Sequence, residues 1–84
     1  MYKVVLKKSA EKDLGKINPV YYDSVVEHIK GLANNPRPFG SIKLSVSQNA
    51  YRIRVGVYRI VYTIKDDILT VEVIKIDHRG SVYK

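Results

Sequence analysis

The 84-residue chain contains no cysteine. That excludes a disulfide framework, a thiolate metal site and a cysteine nucleophile, and it suits a reducing compartment. No apolar run approaches the length needed to cross a bilayer, and the N-terminus lacks a signal-peptide core, so a soluble cytoplasmic protein is expected. There is no glycine-rich loop to cradle a nucleotide phosphate. No serine stands in a recognisable arrangement with histidine and aspartate, and His28 has no second ligand at metal spacing; neither a nucleophilic triad nor a metal is expected, and no cofactor is implied. Repeats, linkers and low-complexity segments are also missing, which leaves one domain over residues 1–84 as the natural count. Acid is scarce: eight Asp+Glu against fifteen Lys+Arg give a net charge of +7. A field of that size on so small a domain favours a polyanionic partner, whether nucleic acid, an anionic membrane or an acidic protein.

What is present reads as an α+β pattern. Val4, Val5 and Leu6 form a short apolar run, a strand ending near Lys7 or Lys8. Ser9 is placed to cap a first helix, with Glu11 in its first turn. Ala10, Leu14 and Ile17 recur at helical spacing, and Gly15 weakens this helix. Asn18-Pro19 is a second helix start, with asparagine at the cap and proline at the first helical position. Tyr22, Val25, Val26, Ile29, Leu32 and Ala33 then fall on one stripe. The prolines and glycine of "NNPRPFG" stop it. "SIKLSV" can form a further short strand. "YRIRV", "YRIVYTI" and "ILTVEVIKI" are three β-rich runs, separated by Gly56-Val57 and by the turn residues Asp66-Asp67. The order is β-α-α-β-β-β, with one further short strand possible. The economical solution packs the two-helix hairpin on one face of a small antiparallel sheet.

The run from Tyr51 to Tyr62 contains no acid. Strand alternation sends Tyr51, Ile53 and Val55 to one face and Arg52 and Arg54 to the other. With Gly56-Val57 as the turn, Val55 pairs with Tyr58, Arg54 lies opposite Arg59, and Arg52 opposite Val61. Ile60, Tyr62 and Ile64 join the apolar face, which should take the helices. Like charges directly opposite each other cost about 0.2–1 kcal/mol. Glu72 on the next strand could answer one arginine, not three. A solvated face that discourages edge aggregation is one reading, though lysine is the usual residue for it. Arginine is favoured where a planar fork of donors must hold phosphate. Most tyrosines sit where a core or its rim is expected; Tyr83 lies instead in the irregular tail, near His78 and Arg79.

The hairpin "YRIRVGVYRIVYTI", its acidic turn, "ILTVEVIKI" and the closing "HRGSVY" together resemble the RelE branch of the RelE/ParE toxin superfamily. The N-terminal strand, the two helices and the "NPRPFGSIKL" connector fit as well, so the resemblance covers nearly the whole chain. It implies a ribosome-dependent mRNA endonuclease that cuts the codon in the A site by attack of a 2′-hydroxyl on the adjacent phosphate, and that is neutralised by a cognate antitoxin in a hetero-oligomer. The family's basic residues on the first hairpin strand match Arg52 and Arg54, often lysines in relatives. Its second-strand arginine matches Arg59, its C-terminal basic pair His78 and Arg79, and its terminal tyrosine Tyr83. Arg59 and Arg79 are suited to stabilise charge building on the phosphate. Arg52 and Arg54 orient the backbone, and Tyr83 stacks on a base or bonds the 2′-oxygen. Histidine is the side chain that exchanges protons most readily near neutral pH, so within this cluster His78 is the group placed to assist proton movement. The antitoxin is expected to be acidic and partly disordered, with a helix lying across the toxin. Three rival readings are a ParE-like gyrase inhibitor on the same fold, a non-catalytic RNA-binding or RNA-mimicking module, and an inert basic domain that only binds its partner.

Overall fold

The computed structural model describes residues 1–78. The elements run β1 (Lys3–Leu6), α1 (Lys8–Gly15), α2 (Pro19–Gly31), β2 (Ile42–Ser45), β3 (Ala50–Val55), β4 (Tyr58–Lys65) and β5 (Thr70–His78), with a 3₁₀ turn at Asp66–Ile68 between the last two strands. The five strands lie in the order β1-β5-β4-β3-β2. Strands β2 to β5 are an antiparallel meander, as the sequence implies. The sheet as a whole is mixed, because β1 runs parallel to β5 with Val4 beside Val71 and Leu6 beside Val73. The cause is topological. The helical crossover carries the chain from one edge of the sheet to the other, and the meander then returns β5 to the side of β1.

Both helices lie on the face that buries Tyr51, Ile53, Val55, Tyr58, Ile60, Tyr62 and Ile64. Helix α2 begins as its sequence suggests: Asn18 Oδ1 accepts from the Val20 amide at 3.0 Å, with Pro19 in the first position. The buried stripe of α2 is Val25, Ile29 and Leu32. Tyr22 is not part of it; it is 41% exposed. Its neighbour Tyr21 turns inward instead, edge-on to Tyr58 with ring centroids 5.7 Å apart. Positions 21, 25 and 29 are one helical ridge, and the Tyr58 ring decides which of two adjacent tyrosines joins it. Burying a branched aliphatic side chain contributes about 1.5–3 kcal/mol, so Leu32, Ile60, Val25, Val71 and Val73, all fully buried, anchor the core.

Helix α1 starts two residues earlier than a Ser9 cap would require. Lys7 is the cap residue and makes no side-chain capping bond. Ser9 lies inside the first turn, and its hydroxyl donates to the Ile74 carbonyl at 2.8 Å. Asp13 Oδ2 accepts from the Ile76 amide at 3.0 Å. Both bonds have one purpose. Strand β1 ends at Leu6 beside Val73, so beyond that point β5 has no neighbouring strand on this side, and side chains of α1 satisfy its edge in place of one.

A second set of polar contacts ties the segment after α2 to the sheet. The Arg37 guanidinium bridges Asp66 Oδ2 at 2.9 Å, donates to the Tyr51 hydroxyl at 3.0 Å and lies 5.3 Å from the centre of that ring. Tyr2 donates to Asp66 Oδ1, and Tyr62 donates to the Pro36 carbonyl at 2.8 Å. The bond from Arg37, followed by that from Tyr2, holds the Asp66 carboxyl below its usual range. Burial pushes the Tyr62 phenol up to about 12. Among the described residues no helix is long and apolar enough to cross a membrane.

Two tests follow from this packing. Gly56 has φ +61°, and a Cβ there would sit 2.5 Å from the Tyr21 ring. Gly56→Ala should therefore destabilise the fold by roughly 1–3 kcal/mol in urea titration; a neutral effect would mean that the turn does not fix Tyr21. For Asp66 the folded pKa lies below the unfolded value, so its contribution is present above about pH 4 and is lost as pH falls through the lowered value. Thermal melts should find Asp66→Asn less stable than the parent at neutral pH, with the gap closing on acidification. A gap that does not change with pH would remove the Arg37–Asp66 charge pair from the account.

Candidate nucleic-acid interface

Among the described residues no helix covers the opposite face of the sheet, which carries the arginines. Register follows the sequence: Val55 pairs with Tyr58, Arg54 with Arg59 and Arg52 with Val61. Arg54 is exposed, and Arg52 and Arg59 are half-buried. Among the described residues no salt bridge involves any of the three; the two present are Arg37–Asp66 and Lys75–Asp77. The Nε of Arg59 is buried and has no hydrogen-bond partner among the described residues. Leaving a buried donor unpaired costs on the order of 1–3 kcal/mol, more for a charged group. Two guanidinium groups side by side, without an ion-pair partner among the described residues, form a surface suited to an anion.

The nearest carboxylate across the strands is Asp77, not Glu72. Asp77 is the β5 partner of Arg59, whereas Glu72 lies four residues further along β4, beside Thr63. Asp77 is itself engaged by Lys75 at 3.3 Å, so it tempers Arg59 without neutralising it. A β-bulge produces this arrangement. The partners of Val61 and Tyr62 are Lys75 and Val73, which leaves Ile74 as the extra residue on β5. One extra residue exchanges the faces of everything beyond it. Glu72 and Asp77, an odd number of residues apart, both reach the arginine face for this reason.

The same bulge sends His78 to the other side. It pairs with Tyr58, a residue of the helix-covered face, and its ring lies edge-on to Tyr58 with centroids 5.3 Å apart. His78 thus shares the turn end of the sheet with Arg59 but leaves it on the opposite face from Arg59. A concavity of about 270 Å³ opens at this end, lined by Asp13, Lys16, Tyr58, Ile76, Asp77 and His78. Asp77 and Lys75 are the site residues that sequence reading missed. Simple alternation along "TVEVIKIDH" assigns them to the wrong set, because nothing in the composition of the run marks Ile74 as the bulge. Arg79 and Tyr83 lie outside the described residues. Among the described residues no group of three or more His, Asp or Glu side chains is placed to hold a metal ion.

Comparison with known proteins gives this face a context. The family model described as the ParE toxin of type II toxin-antitoxin systems matches residues 4–83. Toxin RelG of Mycobacterium tuberculosis is 32% identical over 84 residues, covering 99% of this chain and 97% of the relative. Putative toxin RelE1 of Methanocaldococcus jannaschii is 31% identical over 86 residues, covering 99% and 96%. Among solved structures, the archaeal RelE–RelB complex of Pyrococcus horikoshii superimposes with a TM-score of 0.84 at 28% identity, over 94% of this chain and 96% of that one. The RelBE2 toxin–antitoxin complex of Mycobacterium tuberculosis gives 0.79 at 32% identity, over 94% and 92%. The two-helix, five-strand frame is thus that of a known toxin fold, and the chain belongs to the ParE toxin family of type II toxin–antitoxin systems, among relatives that bear the RelE name.

Proposed function

We propose that the chain is a RelE-type endoribonuclease that cuts mRNA in the ribosomal A site and is held inactive by an antitoxin in the cytoplasm. The observation that carries the reading is the half-buried Arg59, its Nε unpaired, set directly opposite Arg54 on the uncovered face. Attack of a 2′-hydroxyl on the adjacent phosphate gathers negative charge on the phosphoryl oxygens. Arg59 faces that charge with two-point, charge-assisted contacts, and Arg79 joins it from the tail. Arg52 and Arg54 align the backbone on either side. Tyr83 supplies a ring for the neighbouring base. The 2′-hydroxyl requirement makes the reaction specific for RNA.

An arginine stays protonated and does not act as a general base. The chain's own contribution is therefore orientation and charge stabilisation, which depends on the ribosome to present the strand. His78 packs against Tyr58 rather than beside Arg59, so its part is to hold the Tyr58 end of the sheet. The antitoxin partner is supported by the similar toxins solved as complexes with RelB. A gyrase inhibitor is the competing reading, because the matching family model bears the ParE name.

Primer extension on a translated message, run beside a gyrase supercoiling assay, separates the two. The parent chain should cut only translated mRNA and leave supercoiling untouched. Arg59→Ala should lower cutting by roughly 10²–10³-fold, as removal of a charge-stabilising donor does elsewhere. His78→Gln should keep its pH profile. Cuts in untranslated RNA, or blocked supercoiling without cuts, would overturn the reading.

A further inference from the structure

The excess positive charge of the described residues is concentrated on one face. The open sheet face carries the three hairpin arginines at the turn end, Lys75 and Lys7 in the middle, and Lys3 and Lys65 at the far end. Two carboxylates, Glu72 and Asp77, share it. The remaining described residues carry six Lys+Arg and six Asp+Glu. The helix side and loops are thus balanced, and the whole formal excess of the described residues lies on this face.

At the lysine end the face is also shaped. A groove of about 390 Å³ is lined by Lys7, Gln48, Ala50, Val61, Thr63, Lys65, Glu72 and Ile74. Its floor is apolar, from Ala50, Val61 and Ile74. Thr63, Gln48 and Glu72 offer hydrogen-bonding groups at its walls, and two ammonium groups stand at its rim. A volume of this order holds one small ligand. Val61 is both a floor residue of the groove and the cross-strand partner of Arg52, so the groove adjoins the arginine cluster. From Arg59 to Lys65 is six residues of β4, roughly 20 Å at about 3.3 Å per residue.

We propose that this face is a continuous track for single-stranded RNA. The strand whose phosphate lies on the arginines runs along β4 and seats a flanking nucleotide in the Lys7–Lys65 groove, base on the apolar floor and phosphates on the lysines. This rests on the nuclease reading and extends it. A nucleotide matches the groove because it brings a flat apolar base and a phosphate together in one unit. The carboxylate of Glu72 gives the seated base an acceptor for an exocyclic amino group.

The test uses the full chain, isotopically labelled, with 2′-O-methylated oligoribonucleotides of three and nine residues that cannot be cut. The trimer should shift amide signals in residues 52–59. The nonamer should in addition shift Lys7, Ala50, Thr63, Lys65 and Glu72. Replacing both Lys7 and Lys65 by alanine should weaken nonamer binding severalfold, leave trimer binding unchanged and reduce the slope of log K against log salt by about 1.4, two single-strand phosphates' worth. If the nonamer shifts only the arginine end, or the salt slope does not change, the track is overturned while the nuclease reading stands. If neither oligomer shifts the arginine end, the nuclease reading fails with it. Should the double variant lose an acidic antitoxin peptide but bind the nonamer normally, the groove is a protein site and the proposal is wrong.

Discussion

The register of the β3–β4 hairpin is the constraint on which the rest depends. It is fixed from two directions. At the turn, Gly56 adopts a backbone conformation other residues resist, and its missing side chain leaves room for the Tyr21 ring. On the buried face, Tyr51, Ile53 and Val55 lie against Tyr62, Ile60 and Tyr58. A slip of β3 by one residue against β4 would exchange its faces and bring Arg52 and Arg54 into the core. The same pairing that buries the tyrosines therefore forces Arg54 against Arg59. The hydrophobic side of the hairpin holds in place a polar side that isolated stability would not favour.

A second, smaller irregularity decides what surrounds that cluster. The extra residue at Ile74 brings Asp77 beside Arg59 and carries His78 away to Tyr58. Helix α1 supports the strand at this point, with Ser9 bonded to the Ile74 carbonyl and Asp13 to the Ile76 amide. Bulges bend and re-aim a strand next to functional residues. Here the bulge sets the local balance of charge: Arg59 has Asp77 as its β5 partner, and that carboxylate already has Lys75.

Much of this was legible in the sequence, for identifiable reasons. Period-two alternation and a glycine-first turn are strong local signals, and they carried the hairpin register and the three-arginine face. Asn18-Pro19 marked the start of α2 because capping is a matter of adjacent residues. What stayed hidden depends on contacts distant in sequence. Tyr21 rather than Tyr22 is buried because Tyr58 waits for it. Ser9 serves the edge of β5 rather than its own helix. Asp66 reads as a turn residue but is the anchor of Arg37 and Tyr2, partners 29 and 64 residues away. The parallel pairing of β1 requires knowing where the crossover lands, and the bulge leaves no mark in "VEVIKI". For the site this meant that the three arginines sharing the open face could be named in advance, whereas their neighbours Asp77 and Lys75 could not.

The central claim is that the arginine face is unfavourable to the isolated fold and is completed by a phosphate. The stability of an Arg59→Met variant without RNA tests it most directly. Methionine keeps a flexible stem of similar bulk while removing the like charge opposite Arg54 and the unpaired Nε. Denaturant unfolding should find the variant more stable than the parent, by about 0.5–1 kcal/mol on the scale of like-charge cross-strand pairs. A variant less stable than the parent would mean that Arg59 supports the fold itself, and the face would need no phosphate to explain it.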